Sequence, residues 1–434
     1  MPRPGARAQG LPASKAAFLL PCLLPPFPGT SGGFRDGYPS TPWRCPDTIM
    51  TGNGSRFRGH CFWPCRLLGF LVAATLAATV LPAPATANPT LEERIGRMLV
   101  VGFRGLEGDK GSAMARAIRR SHIGGVVLFD RDVPSGSEPR NIRDPQQLRR
   151  LTQNLQRASP YPLLIAVDQE GGHVNRLTRA RGFGVTPSAA ELGARPPSAT
   201  RRAASATARQ LAELGINWNL APVVDLATNP TNPVIAGLGR SYGDRPREVL
   251  PRAAAMVRAH RQAGVRTALK HFPGHGSAEG DSHDGVVTIT ESWRPRELIP
   301  YRQLIGKGLA ESVMVGHLNH RRLDSRWPAS LSPSIIKGLL RQELGFDGVV
   351  VSDDLQMGAI REVFDLRTVI RQALRADVDL LLFANNTVYE PDIAARAAAI
   401  IRSLVETGEI TEARIDRSFR RIRRFTRGLG KGQP

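Results

Sequence analysis

From residue 95 onward, short apolar runs alternate with longer stretches whose apolar residues recur at helical spacing. The runs occupy 98–103, 125–129, 163–168, 216–225, 267–271, 313–317, 349–353 and 380–384. Amphipathic or Ala/Arg-rich stretches separate them at 144–158, 198–213, 247–263, 295–308, 334–343 and 366–376, with final helices expected over 391–407 and 411–426. Strands that are apolar on both faces and separated by helices imply a parallel sheet. Eight such units suit a closed α/β barrel of the (β/α)8 TIM type, in a single domain over 88–434, better than an open doubly wound sheet. Most of the runs end in polar residues: Asp168-Gln169-Glu170, Asp225, Lys270-His271, His317, Asp353-Asp354 and Asn385-Asn386. Chains leaving a barrel for solvent account for one or two of these. A polar group at nearly every exit marks the rim where barrel enzymes assemble their sites.

The first 87 residues depart from the pattern. Residues 1–49 are rich in Pro and Gly without apolar periodicity, as in a disordered segment or an over-extended reading frame whose true start is Met50. Arg56, Arg58 and Arg66 precede an apolar run at 67–81, and Ala85-Thr86-Ala87 follows it. That is signal-peptide order, so export is expected, with cleavage near Ala87 and a mature start near Asn88. Left uncleaved, 67–81 would serve as a membrane anchor, although a full span needs ~20 residues. All four cysteines, Cys22, Cys45, Cys61 and Cys65, lie in this region. The remainder therefore has no disulfide, no thiol nucleophile and no cysteine-based metal site.

The formal net charge is +21; residues 1–88 hold eight Lys/Arg against two Asp/Glu, which leaves +15 on the rest. An Arg surplus scattered over helices favours anionic surroundings such as a membrane surface or an acidic wall polymer. No basic-aromatic module of the nucleic-acid-binding kinds is present, so no nucleic acid partner is expected. A monomer is the expected assembly.

The densest chemistry lies in Lys270-His271-Phe272-Pro273-Gly274-His275-Gly276 and Asp281-Ser282-His283. Pro273 and the glycines exclude a helix, which puts these groups on a strand end and the loop leaving it. A surface loop with incidental histidines is the plainer alternative, but Gly and Pro interleaved with titratable groups indicate a shaped backbone. In a turning loop, Asp281 and His283 at i and i+2 can meet, which fixes the imidazole tautomer and keeps it able to donate and retrieve a proton. The run 348–354 delivers Asp353 and Asp354 to the rim. Neighbouring strand residues point to opposite sides, so at most one should face the axis. A helix N-cap would explain Asp354 better than Asp353. A carboxylate nucleophile with a proton donor is the minimum set for retaining glycoside hydrolysis, although the usual donor is a carboxylic acid.

These motifs closely resemble the single-domain, bacterial peptidoglycan-recycling β-N-acetylhexosaminidases of glycoside hydrolase family 3. The resemblance covers about residues 90–430. It rests on the Lys270–Gly276 and Asp281–His283 motifs, 346–357 (FDGVVVSDDLQM), 166–177 (AVDQEGGHVNRL), 219–225 (NLAPVVD) and 239–242 (GRSY). It implies a (β/α)8 hydrolase releasing terminal β-linked N-acetylglucosamine from peptidoglycan-type fragments without metal or organic cofactor. Matched motif to motif, Asp353 takes the nucleophile's place, His283 the acid/base position and Asp281 that of its partner. Asp168, Arg176, Arg240, Lys270 and His271 fall where the family contacts the sugar. Two departures stand out: His173 where an Arg is expected, and the loop segment Ser277-Ala278-Glu279-Gly280, whose Glu279 is read as a solvated residue, with a competing acid as the lesser alternative.

Other functions stay open at this level. His271, His275, His283 and Asp281 are residue types that ligate zinc, but Phe-Pro-Gly between the first two prevents the shared helical face of a His-Glu-x-x-His motif. A β-glucosidase of the same broad family usually has a second α/β domain supplying a Glu acid, for which little chain follows the barrel pattern. A phosphorylase would use phosphate in place of water. A non-catalytic secreted wall-glycan-binding protein would favour exposed aromatics, whereas residues 88–434 contain only Trp218, Trp293 and Trp327.

Overall fold

The computed structural model describes residues 88–281 and 285–429. The leader-like segment and His283 lie outside the described residues. All eight expected strands form: β1 (Leu99–Gly102), β2 (Gly125–Leu128), β3 (Leu164–Val167), β4 (Trp218–Asn219), β5 (Arg266–Phe272), β6 (Ser312–Val315), β7 (Val349–Ser352) and β8 (Leu381–Phe383). They pair in chain order and in parallel, β8 returns to pair with β1, and a bridge between Val351 and Leu380 joins β7 to β8. The ring is thereby closed as a (β/α)8 barrel.

Burial on both faces explains why the strand sequences are continuous apolar runs. Val126, Val127 and Leu128 are at most 1% exposed, as are Val349, Val350 and Val351. Each such side chain contributes roughly 1.5–3 kcal/mol of burial free energy. The outer layer includes Ala113–Ser121, Pro145–Ala158, Pro197–Glu213, Pro246–Gln262, Ile299–Gly306, Ser334–Glu343, Leu366–Ala376, Ile393–Glu406 and Glu412–Thr426. Their starts are set locally. Asp144 accepts the Gln147 N–H with Pro145 in the first turn, and Asp365 accepts the Thr368 N–H.

The N-terminal end of the barrel is packed shut. Trp218 is wholly buried and meets the Phe425 ring edge-on at 5.5 Å, while its indole N–H donates to Ser312 Oγ (3.2 Å). Beside it, Asp379, 0% exposed, accepts from Arg341 Nη2 (2.6 Å), Ser418 Oγ (2.6 Å) and the Val350 N–H (3.0 Å). This ties the last helix to β7. Ligand access is left to the opposite end, where the strands deliver their polar exits.

Candidate active site

At the C-terminal rim the barrel opens into a cavity of about 470 Å³. Its lining draws on exits from seven strands, among them Phe129, Asp168, Lys270, Met314, Asp353 and Ala384. Seven of the eight residues expected in the site, Asp168, Arg176, Arg240, Lys270, His271, Asp281 and Asp353, line this one cavity. The eighth, His283, lies outside the described residues.

A charged clamp forms one wall. Lys270 Nζ donates to Asp168 Oδ1 (2.6 Å) and lies 2.7 Å from Glu170 Oε1. Arg240 grips Glu170 in fork geometry, Nε to Oε2 and Nη2 to Oε1, both 2.8 Å. Burial acts to raise the Glu170 carboxyl, but the Arg240 and Lys270 cations outweigh it and hold the group well below its ordinary range. Burial likewise acts to lower Lys270, and Asp168 and Glu170 reverse it, so the ammonium is held in its charged form. Asp168 and Glu170 stand two apart on the exit of β3, which puts both carboxylates on one side of the chain.

Behind this wall His271 is fixed by Asp225, which is 1% exposed. Asp225 Oδ2 lies 2.7 Å from His271 Nδ1, and its carboxylate also accepts the His271 N–H (3.1 Å) and the His275 N–H (2.9 Å). Burial raises the Asp225 carboxyl, yet His271 and these N–H donors bring it below its ordinary value. His271 Nε2 sits 3.2 Å from Arg240 Nη2. A guanidinium can only donate, so Nε2 accepts and the imidazole proton resides on Nδ1, facing Asp225.

Lys270 and His271 are consecutive, and a regular strand would turn one of them away. Both line the cavity; the peptide between them is cis, and the β5–β6 register shifts between Leu269 and Phe272. Beyond them the loop is pressed onto the exit of β4: a Cβ at Gly276 would lie 1.6 Å from Leu226 O.

The two adjacent aspartates also both line the cavity, contrary to the expectation of one. They differ in what they hold. Asp354 is buried, and its Oδ1 accepts the N–H groups of Gln356 (3.1 Å) and Ala384 (2.9 Å), pinning the β7 exit to that of β8. It caps a turn between strand exits rather than a helix. Asp353 is half-buried, with its backbone N–H on Val315 O (3.0 Å) and Oδ1 accepting the Asp354 N–H (2.9 Å). Arg176 lies 3.7 Å from Asp130 Oδ1, with its guanidinium 5.4 Å from the Phe129 ring centre.

Glu279 is exposed and lines a separate hollow with Arg294 and Arg296, away from this cavity. His173 is exposed and is not among the lining residues. Trp218 and Trp293 are buried, so neither offers a stacking platform. Among the described residues no group of three or more His, Cys, Asp and Glu is arranged to hold a metal, and no helix is long and apolar enough to cross a membrane. Glu170 and Asp225 were absent from the expected site, although the i, i+2 carboxylates after β3 and the acidic end of the 219–225 motif could have signalled them.

The family model "Glycosyl hydrolase family 3 N terminal domain" matches residues 90–425. Beta-hexosaminidase A of Pseudoalteromonas piscicida is 32% identical over 394 residues, covering 82% of this chain and 63% of the relative. Beta-hexosaminidase LpqI of Mycobacterium tuberculosis is 36% identical over 349 residues, covering 78% and 83%. Among solved structures, a family 3 β-N-acetylglucosaminidase from Paenibacillus sp. str. FPU-7 superposes with a TM-score of 0.73 at 36% identity, over 80% of this chain and 64% of that one. The β-N-acetylhexosaminidase of Beutenbergia cavernae DSM 12333 gives a TM-score of 0.70 at 29% identity, over 78% and 99%. The chain thus spans just under two thirds of the Pseudoalteromonas and Paenibacillus proteins. With the barrel, the rim cavity and a match running through both, the chain belongs to glycoside hydrolase family 3.

Proposed function

We propose that this chain is a retaining β-N-acetylhexosaminidase, releasing terminal β-linked N-acetylglucosamine from peptidoglycan-type fragments. The observation that carries the reading is the shared cavity: a half-buried carboxylate at the exit of β7, Asp353, opens onto the same sugar-sized hollow as the Asp168/Lys270/Arg240 clamp. Its volume lies within the roughly 300–1,000 Å³ typical of small-molecule sites. Sugar hydroxyls and an acetamido carbonyl need charged, directional donors and acceptors, which the clamp and Arg176 supply.

In the first step an Asp353 carboxylate oxygen bonds to the anomeric carbon as the glycosidic C–O bond breaks, and His283 gives its proton to the departing oxygen. Asp281 holds the imidazole in the tautomer that can do so. In the second step His283, now basic, takes a proton from water; the hydroxide adds to the anomeric carbon, Asp353 departs, and the β configuration is retained. Export of the enzyme to wall material belongs to the same reading, motivated by the leader-like order of residues 50–87.

The test is product analysis. Purified enzyme should hydrolyse aryl N-acetyl-β-glucosaminide at least about tenfold faster than the matching glucoside, with the β-anomer of the free sugar appearing first by NMR. First appearance of the α-anomer, equal use of the glucoside, or a sugar phosphate formed in phosphate buffer would each displace it. Activity is expected to survive a chelator unchanged. Replacing His283 by Ala should slow substrates with poor leaving groups by roughly 10²–10⁴-fold, while activated aryl glycosides lose far less, because only the former need the proton. Equal losses on both would remove His283 from the acid role.

A further inference from the structure

Beneath the loop that leaves β5 lies a polar group with no part in that reaction. Glu297, 2% exposed, belongs to the helical turn Pro295–Leu298. Its Oε1 accepts the Arg294 N–H (3.3 Å), whereas Oε2 is buried without a hydrogen-bond partner. It faces Gly274, whose φ is +130°; a Cβ there would come within 2.8 Å of Glu297 Cβ and of Oε2. The Ser277 hydroxyl lies beside the carboxyl, and Ser277 Oγ and the neighbouring Tyr301 hydroxyl are also buried without hydrogen-bond partners. Three residues before Arg296, the Trp293 indole donates to Pro273 O (3.0 Å). Residues 273–277 are therefore held between Leu226 on one side and Trp293–Glu297 on the other, four residues short of Asp281 at the cavity.

We propose that Glu297 is a positioning residue for the loop 273–281, its buried carboxyl packed against Gly274 and Ser277 and so fixing where Asp281 meets the cavity. The proposal rests on the hydrolase reading only for its consequence in activity. A buried carboxyl with an unpartnered oxygen is tolerated while uncharged and costs far more as an anion. The Arg294 N–H, the Ser277 hydroxyl and Arg296 favour the Glu297 anion, and the other groups named here oppose it or are neutral. Asp225, beneath the loop, is negative. Burial holds the Tyr301 phenol well above its ordinary value, and burial with the nearby His271 pushes His275 down to about 4. The one facing cation, Arg296, is exposed. Burial, reinforced by Asp225 against the weaker pull of Ser277 and the Arg294 N–H, pushes the Glu297 carboxyl up to about 7.

A carboxyl raised in the folded chain binds its proton more tightly there than in the unfolded chain. Its stabilising contribution is present below the ordinary value of 4.5 and is lost as pH rises from there through about 7. Two measurements test this on the full chain, using Glu297→Gln, which cannot ionise. With an activated aryl N-acetyl-β-glucosaminide, which needs no proton from His283, wild-type kcat/KM should fall above about pH 7, and the fall should move up by about one pH unit or more in the variant. The variant should stay within about threefold of wild type near pH 6, while Glu297→Ala loses about tenfold throughout. In thermal unfolding, the wild-type midpoint should drop relative to Glu297→Gln between about pH 5 and 8. Superimposable activity profiles, or a midpoint difference independent of pH, would overturn the proposal. Should Glu297→Gln not fold, Ser277→Ala takes its place, and wild-type kcat/KM near pH 6 in that variant is the overturning result. Unfolding involves no substrate, so an inactive wild-type protein would defeat the hydrolase reading and leave the Glu297 test standing.

Discussion

Asp353→Ala is expected to fold normally and to turn over an aryl N-acetyl-β-glucosaminide about 10⁴-fold or more slowly than wild type, the scale set by removing a covalent nucleophile. The fold should tolerate the change because the backbone bond that seats residue 353, its N–H on Val315 O, does not involve the side chain. One bond of the carboxylate, to the Asp354 N–H, lies within a single turn at a half-buried position. The neighbouring substitution should behave oppositely. Asp354→Ala strands the buried N–H groups of Gln356 and Ala384, at about 1–3 kcal/mol for each unsatisfied donor. It should therefore lower the unfolding midpoint while retaining far more activity than Asp353→Ala. Measuring kcat/KM and thermal unfolding for both variants separates the roles. Near-normal turnover by Asp353→Ala with an inactive but well-folded Asp354→Ala would move the nucleophile by one residue.

The barrel was legible because its strands are buried on both faces, so each appears as an uninterrupted apolar run whatever its partner. All eight runs became ring strands. The helix Ala113–Ser121 was not anticipated: only nine residues long, it buries just Ala115 and Ile118, too short a stripe to register as a period. Ser112 capping the Ala115 N–H was its one local signal. The segment 133–140, with its Pro, Gly and Ser, suggests an ordinary flexible loop. Its last residue is instead a buried Arg140 donating to Phe103 O and Asn385 O, partners far away in sequence. Site residues were legible where one strand exit carries them. What a sequence cannot display is a backbone that leaves the regular pleat. Alternation turns one member of each adjacent pair away, yet Lys270 with His271, and Asp353 with Asp354, all line the cavity. Contacts made between exits, such as those of Glu170 and Asp225, exist only once the ring has closed.

Glu170 should prove as important as any residue named from the motifs, for a reason of charge. It is the buried anion between two cations, in fork contact with Arg240 and 2.7 Å from Lys270. Glu170→Ala leaves Arg240 and Lys270 to share Asp168 and the more distant Asp225, and breaking a buried pair in this way costs about 3–5 kcal/mol. The two cations would also shift, and a displacement near 1 Å at positioning groups costs about 10²-fold in rate. Glu170→Gln keeps the shape and removes the charge, so it separates packing from electrostatics. Because the Glu170 carboxyl is held below its ordinary value of 4.5, its stabilisation is present above that value and is lost as pH falls toward the lowered one. Urea unfolding at about pH 7 and again near pH 4 should show wild type losing part of its advantage over Glu170→Gln on the acid side. Lys270→Ala offers the complementary case. Glu170 would keep its fork with Arg240, so that variant should lose activity with a smaller loss of stability. If Glu170→Gln matched wild type in both unfolding and kcat/KM, the clamp would be incidental to the site, and sugar recognition would have to rest on Arg176 and His271.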